Sequence, residues 1–94
     1  MKKVIFRYFA AVRECLNLKE EKVNLDVDTV EDALKYLYNR HGEKLIPLVM
    51  NNKGELNVNV RLLVNGALCP VDKISIKKVS DGDELVLMPP VAGG

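Results

Sequence analysis

The chain has 94 residues, 48% of them hydrophobic and 29% charged, the composition of a soluble single domain that buries roughly 60 to 70% of its unfolded surface without a disulfide or a metal. Fourteen basic and thirteen acidic side chains, interspersed along the sequence, leave a formal charge of +1, which argues against a nucleic-acid partner. No apolar run approaches the roughly 18 to 20 residues of a membrane span, and Met1-Lys2-Lys3 leads into a strand without a signal-peptide core, so a cytoplasmic location with no membrane partner is expected.

Lys3 to Phe9 alternates as a strand, with Val4, Phe6 and Tyr8 on one side and Ile5, Arg7 and Phe9 on the other. Ala10 to Leu16 suits a short helix. Lys22 to Val27 reads as a second strand, in which Val23, Leu25 and Val27 alternate with Lys22, Asn24 and Asp26 to leave one wet face. Asp28-Thr29 opens the main helix: either side chain can accept from the orphan amides of the first turn, Glu31 and Asp32 complement the helix dipole there, and Gly42 closes the helix. Val30, Ala33, Leu34, Leu37 and Tyr38 form its apolar stripe. His41, in the last turn, is expected at the surface as a cation near the helix C-terminus, not as a ligand.

Leu45 to Met50 predicts a short helix or apolar loop over one end of the core, followed by a turn at Asn51 to Gly54. Val58, Val60, Leu62 and Val64 alternate with Asn59, Arg61 and Leu63 as a third strand, and Asn65-Gly66 signals a tight hairpin into a short strand, Ala67 to Cys69. Beyond Pro70 the chain crosses an edge, and Ser80-Asp81-Gly82-Asp83 turns into a last strand, Glu84 to Met88. This order predicts an α+β domain over residues 1–88, with a mixed sheet of four to five strands and one main helix packed on one face, the order of the β-grasp (ubiquitin-like) fold. The near-continuous hydrophobicity of the first and last strands permits them to be central parallel neighbours. Cys15 and Cys69, far apart and outside any C-x-x-C pattern, exclude zinc and iron-sulfur spacings, and both are expected to be buried small hydrophobes, with a redox or acceptor-thiol role as the alternative.

Alternation gives the sheet a second face. If the helix covers Val4, Phe6, Tyr8, Val23, Leu25, Val58, Val60, Leu62, Leu85 and Leu87, then Arg7, Phe9, Arg61, Leu63, Val86 and Met88 point the other way, with Leu68 beside them. An apolar patch flanked by arginines on a small domain marks a partner surface. The alternative is that Leu45 to Met50 folds over this face and makes it a second core.

Residues 89–94, Pro-Pro-Val-Ala-Gly-Gly, read as an extended tail. Pro89 and Pro90 fix φ and hold the backbone extended, while Gly93 and Gly94, lacking a Cβ, suit a slot too narrow for other residues, so the α-carboxylate of Gly94 is the group to be delivered. The other carboxylates read as solvated helix and turn residues. With no acid–base or metal-ligand cluster evident, the chain is expected to be a carried reagent, not a catalyst.

Tyr8-Phe9-Ala10-Ala11-Val12-Arg13-Glu14, Val64-Asn65-Gly66, Asp81-Gly82-Asp83-Glu84 and Pro89-Pro90-Val91-Ala92-Gly93-Gly94 together resemble the MoaD/ThiS group of ubiquitin-like sulfur carriers, most closely its molybdopterin-synthase small subunits. Met88 stands where relatives more often carry Phe. The resemblance implies that a ubiquitin-activating-like adenylyltransferase uses ATP and Mg to join Gly94 to AMP, and that a sulfur donor displaces AMP to leave a thiocarboxylate. It implies that Pro89, Pro90, Val91, Ala92 and Gly93 insert into the molybdopterin synthase large subunit in a hetero-oligomer, with Phe9, Leu68 and Met88 docking and no cofactor stably bound. A carrier for thiamine or cysteine synthesis, a protein modifier joined to lysines through Gly94, and an interaction module with an inert tail are the other readings.

Overall fold

A computed structural model describes residues 1–89. In chain order come β1 (Lys2–Arg7), α1 (Ala10–Leu16), β2 (Glu20–Leu25), α2 (Val30–His41), a 3-10 turn (Gly42–Lys44), α3 (Ile46–Val49), β3 (Arg61–Val64), β4 (Ala67–Leu68), a second 3-10 turn (Val71–Lys73) and β5 (Asp83–Met88). The strands make one sheet in the order β2-β1-β5-β3-β4. At its centre β1 and β5 run parallel, Val4 opposite Asp83 and Arg7 opposite Val86, while the other three pairings are antiparallel. The central parallel pair expected from the hydrophobicity of the two strands is present.

α2 starts where its cap dictates. Thr29 Oγ1 accepts from the Asp32 amide and Asp32 Oδ2 accepts from the Thr29 amide, a reciprocal capping box. The hydrogen bond from the Thr29 backbone leads the causes that hold the Asp32 carboxyl below its usual range. The stripe Val30, Ala33, Leu34 and Leu37 is almost fully buried against Val4, Phe6, Leu62, Leu85 and Leu87 of the sheet, and Phe6 stacks on Tyr36 at 6.1 Å. Leu45 and Val49, fully buried, join this same cluster, with Leu48 and Met50 packed against it. The segment Leu45 to Met50 therefore closes one end of the helix-side core and does not build a second core on the opposite face.

The two turn motifs are one structure. Asn65 and Gly66 take positive φ of 52° and 84°, as a two-residue hairpin turn demands. The Asn65 side chain donates from Nδ2 to Asp83 Oδ1 at 2.9 Å and accepts at Oδ1 from the Glu84 amide at 2.9 Å, while Asp83 Oδ2 accepts from the Ser80 amide at 2.8 Å. The β3–β4 hairpin and the start of β5 are thereby pinned to each other, and Asp83 is buried because its charge is shared among these donors.

Several expectations change. Val58 is not a core strand residue: it is 79% exposed, and β3 begins only at Arg61. Asn57 is the cause, since its Oδ1 accepts from the Asn59 amide and its carbonyl from the Val60 amide, a local turn that competes with the ladder. β2 runs Glu20–Leu25, earlier than Lys22 to Val27, and Val27 instead accepts from Lys2 Nζ at its carbonyl. β1 stops at Arg7, β4 stops at Leu68 and β5 starts at Asp83, each one or two residues from its expected limit.

Candidate functional site

The strand register lays one row of side chains across all five strands on the face away from α2. It reads Glu20, Arg7, Val86, Leu63, Leu68, since Arg7 pairs with Glu20 and Val86, and Leu63 pairs with Val86 and Leu68. The row divides the face in two. On the β2–β1 side Arg7 Nη2 meets Glu20 Oε1 at 3.6 Å and Lys22 Nζ meets Glu20 Oε2 at 3.6 Å, and Arg7 Nε reaches across to Glu84 Oε2 of β5 at 3.1 Å. These exposed pairs add little stability, yet they offset the charge of Arg7 beside the apolar half.

The β5–β3–β4 side carries Val86, Leu63, Leu68 and Met88. Leu68 is 61% and Phe9 44% exposed, whereas Leu63 and Met88 are half-buried. Val86, expected as a contact residue, is 5% exposed. It lies on the central strand, enclosed in register by Arg7 on one side and Leu63 on the other, so it forms the floor of the face, from which Leu68 on the edge strand stands out. Among the described residues Val86 stays outside the cluster packed beneath α2, which agrees with its pointing away from the helix.

Met88 pairs with Arg61, and this is the last paired position of β5, the root of the tail. Arg61 is exposed and, among the described residues, makes no ion pair, unlike Arg7. Pro89 follows, half-buried. The residues assigned to insertion and activation beyond it, Pro90, Val91, Ala92, Gly93 and Gly94, lie outside the described residues.

A second polar cluster sits on the covered side of the sheet, unforeseen from sequence. Tyr8 donates to Glu21 Oε1 at 2.8 Å, Arg40 Nε meets Glu21 Oε2 at 3.3 Å, and His41 Nε2 bonds Glu21 Oε1. His41 does not lie at the surface: its side chain is 9% exposed and packs edge-on to Tyr8 at 6.1 Å. Nor is Glu21 a solvated turn carboxylate. Burial works against its charge, but the bonds from Tyr8, His41 and Arg40 outweigh it and hold the carboxyl below its usual range. Burial, followed by the bond to Glu21, drives the Tyr8 hydroxyl pKa far up. The signal was available, because Glu21 shares the parity of Val23 and Leu25 and the register sets it beside Phe6.

Cys69 is buried, and burial raises its thiol pKa, but Cys15 is exposed on the outer side of α1 and not the buried hydrophobe expected. The inward positions of that short helix are Val12 and Leu16. Among the described residues no three His, Cys, Asp or Glu side chains converge to hold a metal, and no helix is long and apolar enough to cross a membrane.

A mixed five-strand sheet with a central parallel pair, one main helix across one face and an apolar opposite face defines a ubiquitin-like β-grasp protein. The Urm1 structure from Trypanosoma brucei shares this fold, with a TM-score of 0.76, 15% identity and coverage of 99% of this chain and 96% of that one. The chain belongs to the ThiS family, whose model matches residues 6–94. It is 34% identical over 90 residues to small archaeal modifier protein 1 of Haloferax volcanii, covering 95% of this chain and 98% of that protein. A crystal structure of that modifier superposes with a TM-score of 0.81 at 33% identity, covering 98% of this chain and 99% of the other. A Pyrococcus furiosus protein provisionally described as molybdopterin converting factor, subunit 1, is 28% identical with a TM-score of 0.71, over 97% of this chain and 100% of that one.

Proposed function

We propose that this protein carries sulfur on its C-terminal glycine as the small subunit of molybdopterin synthase, in molybdenum or tungsten cofactor synthesis. The observation that carries this is the continuity of the apolar face with the root of the tail: β5 contributes Val86 and Met88 to the face and runs on into Pro-Pro-Val-Ala-Gly-Gly. A partner that grips Phe9, Leu63, Leu68 and Met88 holds β5 in a fixed direction, so the glycines beyond it are aimed into that partner's active site. The likeness to the Pyrococcus protein supports the assignment.

The chemistry follows from the carboxylate's own inertness. Ionised at neutral pH like any α-carboxylate, it repels nucleophiles and has only oxide to expel. An activating enzyme with ATP and Mg joins a Gly94 oxygen to the α-phosphorus and releases pyrophosphate. Hydrosulfide released by a sulfur donor then attacks the acyl carbon: the C–S bond forms, the C–O bond to AMP breaks, AMP departs and the S–H proton passes to water, leaving the thiocarboxylate. In the large subunit that sulfur is the nucleophile toward a pterin precursor.

The likeness to small archaeal modifier protein 1 favours a second reading, in which a lysine amine displaces the activating group and an isopeptide bond forms at Gly94. Lysate on a denaturing gel, probed with an antibody to this chain, separates the two. A single band near 10.5 kDa, with the large subunit co-purifying natively, is the expected result. A Gly94-dependent ladder of heavier bands overturns the assignment to a dedicated carrier.

A further inference from the structure

We infer that Glu21, buried on the helix-covered side of the sheet, is a positioning residue for Phe9 on the opposite side; the inference rests on the docking role proposed above for that face. β1 ends at Arg7 and α1 begins at Ala10, so Tyr8 and Phe9 alone make the connection. The connection does not hold itself in place. Phe9 is the N-cap of α1 and offers no side-chain capping bond, α1 is only seven residues long, and Ala10 has a φ of 50°, in the left-handed region that disfavours residues with a Cβ. Yet this strained turn presents the larger of the two exposed anchors.

What fixes it is Tyr8. Its amide donates to the Lys19 carbonyl at 2.9 Å, its hydroxyl to Glu21 at 2.8 Å, and the His41 ring packs against its edge. The first two contacts reach the start of β2, and Glu21 is held in turn by Arg40 and His41 from the last turn of α2. Tyr8 points inward and Phe9, one residue on, points outward, so locking the direction of one side chain sets that of the next. The network under the sheet thus pre-orders the anchor above it. If the network is cut, the turn samples other conformations, and apparent affinity falls by the fraction that remains competent.

The test uses the full-length chain with Tyr8→Phe, Glu21→Gln and Phe9→Ala, singly and with Phe9→Ala combined with each of the other two. Tyr8→Phe keeps the buried ring and Glu21→Gln keeps the volume, so both should fold. Amide hydrogen exchange at positions 8 and 13, whose amides bond the Lys19 and Phe9 carbonyls, should accelerate by more than exchange in the β1–β5 ladder does. The KM for this chain in adenylation by its activating enzyme should rise about tenfold in each, with kcat unchanged, equivalent to about 1.4 kcal/mol of pre-ordering lost. In the Phe9→Ala background neither substitution should raise KM further, because an absent anchor cannot be mispositioned. Exchange at positions 8 and 13 that accelerates no more than the β1–β5 ladder overturns the positioning role. An unchanged KM for Phe9→Ala alone overturns the docking reading beneath it, and the exchange data tell the two failures apart.

Discussion

Leu68→Asp places a charge on the proposed docking face at a position where the fold has little to lose. Leu68 is 61% exposed on a two-residue edge strand, so roughly two fifths of its surface leaves water on folding, about 1 kcal/mol at the ~2 kcal/mol that full burial of a leucine brings. For a domain of this length that lowers the melting temperature by about 5 °C. Docking should suffer more. In the proposed complex the remaining surface of Leu68 is buried, and an aspartate there must be desolvated against an apolar partner, a loss of at least about 2 kcal/mol for an anchor residue, which is close to thirtyfold in affinity. The assay is ATP–pyrophosphate exchange by the activating enzyme at varied carrier concentration, run beside thermal denaturation of the same preparation. KM should climb thirtyfold while the fold persists. A variant that unfolds would show that Leu68 serves the core, and a variant with unchanged KM would show that the open face is not where the enzyme binds.

Leu37→Ala, at a fully buried position of α2, should cost about 2 to 5 kcal/mol by urea denaturation; a loss under 1 kcal/mol would mean the helix stripe is not the centre of the core. Because the Glu21 carboxyl is held below its usual range in the fold, its stabilisation is complete above the ordinary glutamate pKa of about 4.3 and is lost as pH falls through the lower folded value. Glu21→Gln should therefore be less stable than the parent at pH 7, with the gap closing in acid. A gap that is constant from pH 7 to below about 3 would rule out that linkage. Deleting Gly94, or extending the chain by one residue past it, should abolish exchange of a carboxylate oxygen for sulfur, read by intact mass, with little change in the melting temperature because chain ends in general contribute little; sulfur found on Cys15 or Cys69 would refute the terminal mechanism.

Period and punctuation in the sequence determine most of the architecture. Thr29 and Gly42 bound α2, Asn65-Gly66 sets the hairpin, and the spacing of Val4, Phe6 and Tyr8 selects the buried side of β1, because capping, positive φ and alternation are local and act before any distant contact forms. The two faces of the sheet follow for the same reason. Tertiary structure alone decided how deep each side chain lies on its face: Val86 sank to the floor because β5 became the central strand, and Leu68 rose because β4 is the edge. Val58 left the core because the Asn57 turn outcompeted the ladder. His41 and Glu21 show the limit most clearly. A histidine near a helix end and a glutamate in a strand each look solvated along the chain, and it takes the packing of α2 across β1 and β2 to enclose them with Tyr8, where mutual hydrogen bonds offset a desolvation that neither bears alone.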